Sequence, residues 1–164
     1  MASSPAVASA QNSSAPWRPD TFAARLGYVG VVPLVLCLAG VGLLPGYDAR
    51  ELAQRGAIAW GAVLLAFYGA AHFGLALAAG TPAARARRAA ATVPPVIAAA
   101  ALLIGGQRAL ALLVVGHGGL WLYEHRVLGR ELPAAYLNLR RQLAFATCVL
   151  LALTVFMSDA AGLS

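Results

Sequence analysis

The stretch "LLAFYGAAHFGLALAAG", residues 64–80, is an apolar run with one histidine, His72, and no Asp, Glu, Lys or Arg. It completes an apolar segment that begins at about Gly56. As a helix, the segment is long enough to cross the roughly 30 Å hydrocarbon core of a bilayer. It therefore predicts an all-α fold whose helices lie in a membrane.

The composition also indicates a membrane protein. Hydrophobic residues make up 60% of the 164 positions and charged residues 11%, well below the roughly 25% typical of soluble domains. The net charge of +6 comes from arginines spread over short connections, whereas nucleic-acid-binding proteins gather basic residues on one face. We predict a polytopic membrane protein whose partner is the lipid bilayer, and we expect no nucleic-acid partner.

Five apolar segments predict a polytopic bundle of five transmembrane helices in one domain, residues 21–164, after a disordered cytoplasmic tail over residues 1–20. The third and fourth segments are short and are joined only by "GGQR". They form either two spans, which we favour, or one hairpin that does not cross the membrane. We expect the last helix to begin before its apolar segment, with Pro133 in its first turn. The segments cover about residues 26–44, 56–79, 89–104, 109–123 and 142–157.

The arginines predict the orientation of the chain. Nine of them flank the segments on the side of the amino terminus, and three lie on the other side. Because positive loops stay in the cytoplasm, we place the amino terminus there and the carboxyl terminus in the periplasm. All twelve basic residues are arginine, and alanine and glycine are abundant, which is typical of a GC-rich bacterial genome. The predicted location is therefore a bacterial inner membrane.

Two histidines lie inside the predicted spans. His72 is seven residues before Ala79, and His117 is eight residues before His125, so both lie about 10–12 Å from the inner ends of parallel helices. Two histidines at equal depth could ligate a haem, and His72 shares a helix face with Tyr68. Binding of a quinone or another small ligand is an alternative, and a hydrogen bond to a neighbouring helix is the reading that we favour. We predict no cofactor.

The second segment also carries small residues at every fourth position. Such a ridge predicts close packing against another helix. His72 points away from the middle of this ridge, so the second helix should contact neighbours on both faces and lie at the centre of the bundle. The ridge consists of Ala62, Ala66, Ala70, Gly74 and Ala78.

No catalytic motif is present in the sequence, so we predict a protein without enzymatic activity. The six acidic residues all fall in the tail, the loops or the segment ends. We expect Glu124, His125 and Arg126 at the inner membrane surface, where they pair with each other or with lipid headgroups. A metal site built from His117, Glu124 and His125 is excluded because the first two are about 10 Å apart along a helix.

Arg140 and Arg141 precede the last apolar segment. Basic residues at this position usually extend to lipid phosphates, and that is the role we expect. A dedicated lipid pocket that includes Tyr136 is the alternative.

Four stretches resemble the membrane family of domain of unknown function 3429, which occurs in bacteria and includes a vertebrate mitochondrial transmembrane protein. The similarity covers about residues 25–155, and its clearest element is the run from Gly69 to Phe73 around His72. A second element joins Leu132, Pro133, Tyr136, Leu139 and Arg140, whereas His117 is not part of the family pattern. The resemblance implies that His72 is paired with Tyr68, the Tyr136–Arg140 region or a lipid. The four stretches are "LGYVGVVPL" (26–34), "YGAAHFGLAL" (68–77), "VPPVIA" (93–98) and "LPAAYLNLR" (132–140).

The functional prediction has two branches. The favoured branch is a non-enzymatic accessory or assembly protein that binds other membrane proteins or itself, with the small-residue ridge as one interface. The alternative is a module that binds haem, quinone or lipid around His72. Its candidate ligand-binding residues are Tyr68, His72, His117, Tyr136 and Arg140.

Overall fold

The computed structural model describes residues 21–79, 82–128 and 134–163, and all regular secondary structure among them is helical. The predicted all-α bundle is confirmed. The predicted tail over residues 1–20 lies outside the described residues. The helices are α1 (Thr21–Val29), α2 (Val32–Leu43), α3 (Tyr47–Ala79), α4 (Pro82–Ile104), α5 (Gly106–Tyr123) and α6 (Ala134–Ala160), with a π-helical turn (Glu124–Leu128) after α5.

The first apolar segment forms two helices, because Pro33 lies in the first turn of α2. Proline lacks an N–H group, and its ring crowds the carbonyl group four residues earlier, that of Val29, where α1 ends. The carbonyl oxygen of Gly30, at the break, accepts a hydrogen bond of 2.7 Å from Trp60 Nε1 on α3. The break is thus fixed against the neighbouring helix.

Helix α3 begins nine residues before the apolar segment that predicts it. The turn before it contains Gly46 with a φ of 88°, which favours glycine. Asp48 lies in the first turn of α3, where a negative charge stabilises a helix. Arg55 and Glu51 form an i,i+4 ion pair of 2.7 Å on the exposed face of the same region. These polar contacts extend the helix beyond its apolar part.

Helices α4 and α5 are separate helices joined by a tight turn. In that turn, Gly105 and Gly106 have φ values of 65° and 60°. Helix α4 continues through Pro94 and Pro95, which face Gly69 of α3. A Cβ atom at Gly69 would lie 2.9 Å from the Cβ atom of Pro94, so the absence of a side chain at Gly69 allows α3 and α4 to approach closely here.

Helix α6 begins at Ala134, eight residues before its apolar segment. The expected early start is confirmed, although Pro133 itself lies outside the described residues. Three stretches of the described chain are long and apolar enough to cross a membrane, namely Arg25–Leu43, Tyr47–Gly74 and Ala134–Ala160. These lengths indicate a membrane protein.

Helix α3 lies at the centre of the bundle, as predicted, and packs against α2, α4, α5 and α6. The core between these helices is apolar, with its largest fully buried side chains from Leu34, Leu65, Leu110, Leu113 and Leu151. The small-residue ridge is buried in this core at its first residues and exposed towards the carboxyl end of α3. Ala62 is buried and Ala66 half-buried, Ala70 and Gly74 are exposed, and the Ala78 side chain lies outside the described residues.

Candidate functional site

Three ionisable side chains meet inside the bundle near one end of α3. His72 Nε2 donates a hydrogen bond of 2.5 Å to Glu124 Oε1, and Arg140 Nη2 donates one of 2.5 Å to the same oxygen. Their exposed fractions are 5%, 1% and 7% for His72, Glu124 and Arg140. We call these three residues the polar cluster. It joins α3, the π-helical turn and α6 through one carboxylate oxygen.

Two further predicted residues extend the polar cluster into the core. The guanidinium carbon of Arg140 lies 3.8 Å from the centre of the Tyr68 ring, a cation–π contact. The Tyr68 ring also packs against the His117 ring, with ring centres 6.1 Å apart and ring planes at 80°. His117 Nε2 donates a hydrogen bond of 3.1 Å to the carbonyl oxygen of Gly61.

The structure therefore brings the predicted ligand-binding residues to one place. Tyr136 is half-buried and lies one helical turn before Arg140 on α6. The resemblance implies Tyr68, the Tyr136–Arg140 region or a lipid as the partner of His72. The direct partner is Glu124, which connects His72 to Arg140.

Glu124 is a functional candidate that is not among the site residues predicted from the sequence. The expectation that Glu124 pairs with His125, Arg126 or lipid headgroups is wrong as to the protein partners, because Glu124 is buried against His72 and Arg140 whereas His125 and Arg126 are exposed. His125 instead stacks on Trp121, with ring centres 5.7 Å apart and planes at 13°. A signal for the burial of Glu124 does exist in the sequence. It continues the helical spacing of the buried residues Leu110, Leu113, His117 and Leu120.

The expected position of Arg140 is also wrong. Arg140 does not extend away from the protein towards lipid phosphates, since it begins the buried face of α6 and pairs with Glu124. Arg141 is exposed, as expected. The buried face of α6 comprises Arg140, Leu143, Ala144, Thr147, Leu151, Thr154 and Ser158.

The polar cluster keeps hydrogen-bonding capacity that the described part of the chain does not use. Glu124 Oε2, His72 Nδ1 and Arg140 Nε and Nη1 are buried without a hydrogen-bond partner there. Each such buried atom costs about 1–3 kcal/mol, and native proteins rarely leave one unsatisfied. The cluster thus retains two acceptor atoms and one guanidinium donor group without a partner in the described part of the chain.

A groove between α5 and α6 leads to Glu124. Its polar part is a cleft of about 160 Å³, and its apolar part is a cleft of about 390 Å³. Trp121 and Arg141 line both clefts, so we treat them as one feature, the α5–α6 groove. The polar part is also lined by Glu124, His125 and Asn138, and the apolar part by Gly118, Ala144, Phe145 and Cys148.

Both histidines inside the bundle have partners within the protein. The Nε2 atoms of His72 and His117 are both bound to protein oxygens, and the Tyr68 ring packs against His117. Among the described residues, no three His, Cys, Asp or Glu side chains are grouped closely enough to hold a metal ion.

A family model described as "Protein of unknown function (DUF3429)" matches residues 19–156 of the chain. The chain belongs to the DUF3429 family. No curated protein and no solved structure matches it. The match to DUF3429 confirms the resemblance seen in the sequence, and it includes every residue of the polar cluster and of the α5–α6 groove. Because the family is described as being of unknown function, a function for this DUF3429 member has to be argued from the site.

Proposed function

We propose that the protein is a non-enzymatic membrane module that binds a lipid or a quinone against the polar cluster. The observation that carries this proposal is the position of Glu124. Its Oε1 atom bridges His72 and Arg140, its Oε2 atom has no partner in the described chain, and the residue lines the α5–α6 groove. Buried ionisable residues are costly, and they often mark a functional site.

The groove has the form that an amphipathic molecule requires. Binding sites are typically apolar clefts with a few converging polar groups that fix the orientation of the ligand. Here the apolar part lies between Gly118 and Cys148, and the polar part ends at Glu124 and Arg141. Lipids and quinones combine a polar head with an apolar chain and are abundant in membranes.

The proposal assigns no chemical reaction to the site. The carboxylate oxygen of Glu124 that faces the cluster already accepts two hydrogen bonds, and the charges of Glu124 and Arg140 cancel. Such an arrangement supports binding and positioning. We propose further that the protein needs neither haem nor a metal ion, since the Nε2 atoms of both histidines are used within the chain.

We propose that all five apolar segments cross a bacterial inner membrane, with the amino terminus in the cytoplasm and the carboxyl terminus in the periplasm. Helix α5 has 18 residues, about 27 Å, and the apolar part of α4, Ala90–Ile104, continues a helix of 23 residues. A span that is short for the hydrocarbon core is accommodated by local thinning of the bilayer. The distribution of nine arginines against three supports the orientation.

The binding proposal is tested by native mass spectrometry of the protein purified from membranes in mild detergent. We expect a lipid or quinone adduct on the wild type and its loss in His72→Ala, with the variant still folded by circular dichroism. Gln54→Leu is the matched control, because Gln54 is a buried polar residue that donates to Leu163 at another part of the bundle. An adduct that persists in His72→Ala would show that His72 only joins helices.

An accessory or assembly role is the second candidate, and one observation favours it. Ala70 and Gly74 of α3 are exposed, and a Cβ atom at Gly74 would meet nothing within 4 Å. Small exposed residues on a membrane helix allow another helix to approach closely. Cysteine cross-linking in native membranes tests it. We expect Gly74→Cys to form a discrete cross-link with a second protein and Ala59→Cys, another exposed position on α3, to form none. Equal cross-linking by the two variants would reject this interface.

A further inference from the structure

We infer that the α5–α6 groove binds a phospholipid, with the phosphate at Arg141, a hydrogen-bond donor of the headgroup at Glu124, and one acyl chain along the apolar part. This inference rests on the proposed function and names its ligand. It selects phospholipids over quinones on the charge and hydrogen-bonding chemistry at the polar part of the groove.

The charge at the polar part of the groove favours a phosphate. Arg140 is neutralised by Glu124, whereas Arg141 is exposed and forms no ion pair within the described part of the chain. A guanidinium group binds phosphate oxygens through paired N–H donors. Arg141 therefore supplies a cation for a lipid phosphate, and the carbonyl oxygens of a quinone carry no charge to match it.

The unpartnered oxygen of Glu124 selects the headgroup. Glu124 is 1% exposed, and its Oε2 atom is an acceptor without a donor among the described residues. A headgroup with a hydroxyl or an ammonium group can supply that donor, as in phosphatidylglycerol and phosphatidylethanolamine. The quaternary ammonium of phosphatidylcholine has no N–H group. The site should therefore discriminate against phosphatidylcholine.

The apolar part of the groove suits one acyl chain. It extends along α6 from Arg141 to Cys148, seven residues or about 10 Å. Gly118 opens its wall on α5, because a Cβ atom there would meet nothing within 4 Å. Trp121 lies where the polar and apolar parts join, the position that tryptophan prefers between lipid headgroups and chains.

The test uses delipidated full-length protein, titrated in detergent with phosphatidylglycerol, phosphatidylethanolamine or phosphatidylcholine of identical chains and analysed by native mass spectrometry. We expect the first two lipids to bind at least about tenfold more tightly than phosphatidylcholine, the effect of one hydrogen bond to a charged group. Arg141→Gln should weaken binding of all three lipids, since it removes the contact to the phosphate that they share.

Two glycine variants test the position of the acyl chain in the groove. Gly118→Leu fills the apolar part of the groove and should weaken phospholipid binding about tenfold, the effect of losing roughly two buried methylene groups. Gly119→Leu adds the same side chain one residue away, where a Cβ atom also meets nothing within 4 Å, and should bind as the wild type does. Equal binding by both variants, or equal affinity for the three lipids, would overturn the inference.

Failure of this inference and failure of the proposed function are distinguishable. A quinone adduct that depends on His72 but is indifferent to Gly118→Leu would reject the phospholipid and keep the binding module. Wild-type protein that holds no adduct after purification, and takes up none of the three lipids, would reject both.

Discussion

Replacement of Glu124 by glutamine tests the energetics of the polar cluster. The change keeps the shape of the side chain and removes the negative charge between His72 and Arg140. Arg140 is 7% exposed, and a guanidinium group stays protonated, so the variant leaves an uncompensated charge inside the bundle. Breaking a buried ion pair in this way costs about 3–5 kcal/mol. We expect Glu124→Gln to lower the free energy of unfolding by about that amount.

Replacement of Arg140, the other member of the ion pair, should lower the free energy of unfolding by less. Arg140→Gln leaves Glu124 buried without its cation, but a carboxylate can take up a proton and become neutral, and His72 still donates to it. The double variant Glu124→Gln/Arg140→Gln contains no buried charge from this pair. Its loss of stability should therefore be well below the sum of the two single losses, with a coupling energy of about 2–3 kcal/mol, within the range found for residues in contact.

Equilibrium unfolding in mixed detergent micelles, followed by circular dichroism, measures the three variants against the wild type. Tyr28→Phe is a suitable control, because it removes an exposed hydrogen bond of 2.6 Å to Gln142 between α1 and α6. The reasoning is refuted if the free energy of unfolding of Glu124→Gln lies within about 1 kcal/mol of the wild-type value, or if the two single losses add in the double variant. Either result would show that a buried ion pair with Glu124 does not stabilise Arg140.

Three further outcomes follow from the fold and the site. Gly69→Leu should destabilise the bundle by about 1–3 kcal/mol, because Pro94 already lies 2.9 Å from the position of a Cβ atom, whereas Gly74→Leu should be nearly neutral; unfolding measurements that give equal losses would contradict this packing. Gln54→Leu should cost about 1 kcal/mol or less in the same measurement, since Gln107 also donates to the Leu163 carbonyl oxygen; a loss several times larger would show that the two amides are not interchangeable. Protein expressed with an ample haem supply should show no Soret band, oxidised or reduced with dithionite; a band lost in both His72→Ala and His117→Ala would refute our reading of these histidines.

The sequence predicts the helices well and their boundaries less well. Apolar length identifies each long helix, and the small-residue ridge with His72 on the opposite face predicts the central position of α3. Polar ends are harder to place, because capping charges and ion pairs such as Glu51–Arg55 extend a helix without any apolar signal. Pro33 lies inside an apolar run, but hydropathy does not show that its ring divides the run into α1 and α2.

The site was only partly predictable for a related reason. His72 stands out because an isolated histidine in an apolar run is rare, and Tyr68 follows from helical spacing. Glu124 directly follows an apolar segment, a position at which charged residues usually reach the membrane surface. Its partners are 52 and 16 residues away in sequence, so no local pattern pairs them. Only the packing of α3, α5 and α6 does so.

The most direct test of the account compares the wild type with Glu124→Gln, purified side by side from the same membranes and analysed by native mass spectrometry. Glu124 is the residue that both completes the polar cluster and lines the α5–α6 groove. We expect a lipid or quinone adduct on the wild type and a clear reduction on folded Glu124→Gln. An equal adduct on both proteins, or none on the wild type, would contradict it.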